Sequence, residues 1–177
     1  VAPWAGRAKL RLIPALSNPA RTKARPAKFA LSGGDLAAGT AESWRDHLYD
    51  MLKTFVGNAP AEFDIDRIDE TAWQRLAKKM SYLPGDLTKP ELYEKIRDAL
   101  GDAEKAHGTQ GNAIFYLAVA DRFFGVAVEQ LGKAKLTVQG EDKNEKPRFW
   151  CRVVIEKPFG HSLDSARQLN ASIWRTR

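Results

Sequence analysis

Lys157 stands between a glutamate and a proline at the end of an apolar run, in the stretch RFWCRVVIEKPFGHSLDSARQLN, Arg148 to Asn170. Phe149, Trp150, Val153, Val154 and Ile155 read as a buried strand. The residue before a proline is pushed toward extended backbone, so Lys157 is held at the strand's carboxyl end. Ligands of open α/β sheets bind outside those ends, near a topological switch point. A lysine ammonium in that place suits an anionic or hydroxyl-bearing ligand. The alternative is that Glu156 and Lys157 are solvated residues where a strand stops. The other reactive side chains are sparse. His47, His107 and His161 are scattered, and the one cysteine, Cys151, lies mid-strand. That pattern offers neither a zinc-type ligand cluster nor an internal disulfide, and it fits a reducing compartment.

The elements that must position Lys157 follow from periodicity. AKFALSGGDL predicts a short strand over about 28–32, ended by Gly33 and Gly34. GTAESWRDHLYDMLKTF predicts a helix over 40–56, capped by Thr40, with Trp44, Leu48, Met51, Leu52 and Phe55 at helical spacing. DETAWQRLAKKM repeats the pattern over 71–80 with Trp73, Leu76, Ala77 and Met80. MSYLPGD predicts a short strand and turn. TKPELYEKIRDAL predicts a helix over 89–101, with a capping box from Thr88 to Glu91, Pro90 in its first turn and a stripe of Leu92, Ile96 and Leu100. NAIFYLAVA predicts a continuous apolar strand, Ala113 to Val119. DRFFGVAVEQLG predicts a helix over 121–131, buried through Phe124, Ala127, Val128 and Leu131 and stopped by Gly132. TVQGEDKNEKPR reads as a polar loop. The strand at 149–156 and a helix over 163–173 close the chain.

Strands alternate with helices, and the late strands are uniformly apolar. The expected fold class is therefore α/β, a mostly parallel sheet covered on both faces, with the strands at 28–32, 113–119 and 149–156 in one sheet. The last two strands and the helix between them make one βαβ unit, so Ala118, Val119 and Ala120 are expected beside Glu156, Lys157 and Pro158.

The 177 residues suffice for one domain with a core, and 44% hydrophobic against 28% charged residues is ordinary for a globular protein. No apolar run approaches the roughly 18 residues of a membrane span, and no signal-peptide pattern is present, so no membrane partner and a cytoplasmic setting are expected. The net charge of +6 comes from the N-terminal segment, where seven basic residues precede the first acid, Asp35. That segment lacks interleaved aromatics for base stacking, which argues against nucleic acid.

VVIEKPFGHSLDSARQLN closely resembles the EKPFG signature of glucose-6-phosphate dehydrogenase. LPGDLTKPELYEKIRDAL, NAIFYLAVADRFF and RLIPALSNPA resemble that family's nucleotide-binding domain in order and spacing, from about Ala8 to Ile173. The resemblance implies a Rossmann-type doubly wound domain spanning 1–177. It implies oxidation of glucose 6-phosphate to a 6-phosphoglucono-lactone in the pentose phosphate pathway, with hydride passing to NADP while a histidine takes the C1 hydroxyl proton. Lys157 inherits contacts to both substrate and cofactor. Ala118 and Val119 pass beside the nicotinamide, and Phe124 occupies a cofactor-contacting position that is tyrosine in some members.

The chain also departs from the family. Where the family has a strand and then a G-x-x-G-D-L turn against the pyrophosphate, this chain reads Ala2, Pro3, Trp4, Ala5, Gly6, Arg7. Side chains there obstruct close approach of a pyrophosphate. Only Val1 precedes the turn, so the sheet is expected to lack its first, central strand. The family's phosphate-reading arginine falls on Leu36, with Asp35 beside it. An acid at this strand end hydrogen-bonds the ribose hydroxyls of NAD and repels a 2′-phosphate; alternatively, Asp35 only starts the loop before Thr40. Family membership implies NADP, and Asp35 leaves NAD possible. No histidine here matches the family's general base, which is expected beyond Arg177 with the DHYLGK motif and the main dimer surface, leaving no catalytic residue in this chain. The expectation is a cofactor domain inactive alone. The alternatives are a non-catalytic remnant or a related NAD(P)-dependent sugar oxidoreductase.

Overall fold

The computed structural model describes residues 28–57, 67–138, 140–141 and 147–155. They fall in two compact units, Val1–Pro84 and Gly85–Arg177.

The first unit is built on two parallel strands, β1 (Leu31–Asp35) and β2 (Met80–Pro84), in register from Leu31↔Met80 to Asp35↔Pro84. Two helices make the crossover, α1 (Ala41–Phe55) and α2 (Glu70–Ala77). Thr40 caps α1 as its sequence predicts. The Ser43 N–H donates to Thr40 Oγ1 at 3.1 Å, and the Thr40 N–H donates to Ser43 Oγ at 3.0 Å, a reciprocal capping box. Asp69 caps α2 by accepting the Ala72 N–H at 2.9 Å. Both helices are amphipathic at 3.6-residue period. Their apolar faces meet the strands in one core of Trp44, Leu48, Leu52, Trp73, Leu76, Ala77, Met80 and Tyr82.

Packing moves β1 from its expected bounds. The strand was expected to stop at Gly33 and Gly34, yet it runs through both. A Cβ on Gly33 would lie 2.3 Å from Trp44 Cζ2, so the glycine is where the indole rests on the strand. Sequence punctuation suggested a turn; tertiary packing makes it a contact surface.

The second unit pairs β3 (Ala113–Leu117) with β6 (Cys151–Ile155), parallel, from Ala113↔Cys151 to Leu117↔Ile155. Helix α3 (Pro90–His107) precedes β3, and a 3-10 turn (Asp121–Phe123) leads into α4 (Phe124–Lys133). Arg97 Nη2 donates to the Ala134 carbonyl at 2.7 Å, and Gln130 Nε2 donates to the Thr88 carbonyl at 3.3 Å, tying the C-terminal part of α4 to the middle of α3 and to the segment before it. Phe124, Ala127, Val128 and Leu131 are buried, as the periodicity predicts.

Several expectations are corrected. Thr88 does not open a capping box with Glu91. Its N–H and hydroxyl both donate to Asp86 Oδ1 at 2.8 Å, while Lys89 is the N-cap without a side-chain bond and Pro90 begins the helix. The nearer acceptor wins, because Asp86 closes a turn two residues back. Gly132 does not stop α4; Lys135 takes the left-handed conformation instead, at φ 56°. The polar loop holds a short antiparallel pair, β4 (Gly140–Glu141) with β5 (Pro147–Phe149). Ile114 and Val154 stand exposed on the same side of the β3–β6 pair. The three strands expected in one sheet fall in two, with β1 paired to β2 and β3 paired to β6. The helix expected over 163–173 and the glycine-turn segment at 2–7 lie outside the described residues.

Candidate functional site

The carboxyl end of β1 is held by its own side chains. Asp35 Oδ1 accepts the Ala37 N–H at 3.4 Å, and the Tyr82 hydroxyl donates to the Ala37 carbonyl at 2.6 Å. Tyr82 stacks against Trp44, with ring centroids 6.0 Å apart. Burial, and then the charge of Asp35, push the Tyr82 hydroxyl up from its ordinary range, so it stays protonated and donates. The turn after β1 is thus bolted to the core through Tyr82. Beside it, Leu36 projects into solvent at 74% exposure. The segment Asp35–Thr40 carries one acid and no base. Tyr82 was not among the sequence candidates. The signal was the alternation of Met80 and Tyr82 on one strand face, which marks burial but not the hydroxyl's partner.

In the second unit, β3 and β6 run parallel and their last paired residues are Leu117 and Ile155. Ala118 and Val119, both half-buried, therefore leave the sheet at the edge where β6 ends. The parallel pairing of these two strands is as expected from the sequence. β3 ends two residues earlier than expected, because the chain turns at Ala120, whose carbonyl accepts the Phe123 N–H at 2.9 Å. Phe124 is 3% exposed. Its ring is part of the buried core. Lys157, with Glu156, Pro158 and His161, lies outside the described residues.

His47 is exposed on α1 of the first unit, and His107 ends α3 of the second. Cys151 pairs across from Ala113, and burial raises its thiol pKa, which disfavours the thiolate. Among the described residues, no group of three or more His, Cys, Asp or Glu is placed to hold a metal ion. None of their helices is long and apolar enough to cross a membrane.

Comparison with known proteins agrees with this arrangement. A family model described as "Glucose-6-phosphate dehydrogenase, NAD binding domain" matches residues 6–176. The chain is 34% identical over 158 residues to "Glucose-6-phosphate 1-dehydrogenase 2" of Mycobacterium bovis, covering 87% of this chain and 30% of that protein. It is 33% identical over 129 residues to "Glucose-6-phosphate 1-dehydrogenase" of Chlamydia pneumoniae, covering 73% of this chain and 25% of the relative. Among solved structures, the glucose-6-phosphate 1-dehydrogenase of Mycobacterium avium superposes with a TM-score of 0.71 at 27% identity, covering 95% of this chain and 31% of that one. A glucose-6-phosphate dehydrogenase solved in complex with its substrate glucose-6-phosphate shares the fold, with a TM-score of 0.73 at 21% identity. The chain spans no more than about a third of these proteins' lengths. Its mixed helices and parallel strands, ordered as in the dehydrogenases, and the match across nearly all its residues lead to one assignment: the chain belongs to the glucose-6-phosphate dehydrogenase family, as its NAD-binding domain.

Proposed function

We propose that this chain is the nucleotide-binding part of an enzyme that oxidises glucose 6-phosphate to a 6-phosphoglucono-lactone. The observation that carries the reading is the parallel register ending at Leu117↔Ile155, with Ala118 and Val119 leaving at that edge. Two peptide links tie Lys157 to Ile155, so covalent geometry alone keeps it within roughly 7 Å of the strand end. When bound, a nicotinamide dinucleotide supplies the acceptor for a hydride from sugar C1. The chain's own part is positional. The Lys157 ammonium orients the sugar hydroxyls and the cofactor, and the backbone of Ala118 and Val119 forms a wall beside them. Phe124, taken into the core, supports that wall from below. Asp35 and Leu36 stand at the other candidate edge, toward the adenosine ribose.

The general base is not among His47, His107 and His161. A general base contributes typically about 10²–10⁴-fold, so this chain alone gives no measurable turnover. By family membership the whole enzyme works in the cytoplasm and the pentose phosphate pathway. The family resemblance points to NADP, while the residues at the end of β1 point to NAD.

A second reading rests on the Ala-Pro-Trp-Ala-Gly-Arg segment at 2–7. Without the glycine turn, the chain keeps the fold but no longer admits a pyrophosphate. Saturation-transfer NMR with nicotinamide dinucleotides separates the two, because it registers weak binding. Transfer to the nucleotide that weakens in Lys157→Ala, whose fold is verified by circular dichroism, supports the first reading. Absence of transfer establishes the second. Glucose 6-phosphate oxidation by the 177-residue chain would overturn the assignment of the base.

A further inference from the structure

We draw no further inference here: the strongest candidate, the side of the β3–β6 strand pair on which Ile114 and Val154 stand exposed, carries nothing, because nothing in the structure shows what covers that face.

Discussion

Replacing Gly33 by alanine puts a methyl group where the indole of Trp44 already lies. The added Cβ would sit 2.3 Å from Trp44 Cζ2 and 2.7 Å from both Cε2 and Cη2. The ring has little room to retreat, since Trp44 is 7% exposed and stacked on Tyr82, which in turn holds the Ala37 carbonyl. Overpacking of this kind costs about 1–3 kcal/mol. Against it stands the loss of glycine's freedom in the unfolded chain, a gain of about 0.4–1 kcal/mol where the backbone suits alanine. The clash wins, leaving a net destabilisation of about 1–2 kcal/mol. For a chain of this length that is a drop of roughly 2–8 °C in Tm. Urea unfolding followed by tryptophan fluorescence measures it. Gly34→Ala is the control, because its Cβ would meet only the Leu83 carbonyl at 3.8 Å, an ordinary contact. It is expected to be neutral or slightly stabilising. A second arm pairs Gly33→Ala with Trp44→Leu, where the smaller side chain frees the space and the two effects become non-additive. Strict additivity, or a Gly33→Ala protein as stable as the parent, would refute the claim that this glycine is there for the indole.

Tyr93 supplies a pH test. Its hydroxyl donates to the Leu87 carbonyl at 2.7 Å, and burial, then the charge of Asp86, push its pKa up to about 12 from an ordinary 10.0. A raised pKa means that the stability is fully present below pH 10.0 and drains away as pH rises from there through about 12. A shift of this size is worth on the order of 2–3 kcal/mol. Denaturant midpoints across that alkaline window should fall less steeply in Tyr93→Phe than in the parent. Thr40→Ala removes the Oγ1 acceptor of the Ser43 N–H at the start of α1 and is expected to cost about 0.5–2 kcal/mol in urea unfolding, with Thr40→Ser recovering most of it. Tyr82→Phe leaves the Ala37 carbonyl without its 2.6 Å partner and is expected to cost about 0.5–1.5 kcal/mol, with faster amide exchange in the turn around Ala37.

Much of this architecture was legible because helices carry their pattern locally. Trp44, Leu48 and Leu52 repeat at 3.6-residue spacing, Thr40 and Asp69 stand at their starts, and each helix formed where those signals agreed. Strand ends were harder. The double glycine of β1 reads as a turn to any local rule, and only Trp44, eleven positions on, makes Gly33 a strand residue. Thr88 met its capping pattern in sequence and then bonded Asp86 instead. The β4–β5 pair hides among charges, because two short strands need each other more than they need apolar side chains.

The chain's own residues determined the family through EKPFG and its companions, the βαβ order and the apolar faces. They also determined that the segment Asp35–Thr40 carries one acid and no base. Tertiary structure decided which strands pair, that Phe124 belongs to the core, and that Tyr82 anchors the turn carrying Asp35 and Leu36. The division has a physical cause. Helix periodicity and caps are interactions within a few residues, whereas pairing, burial and a hydroxyl's choice of partner join positions dozens of residues apart, where sequence spacing holds no information about contact.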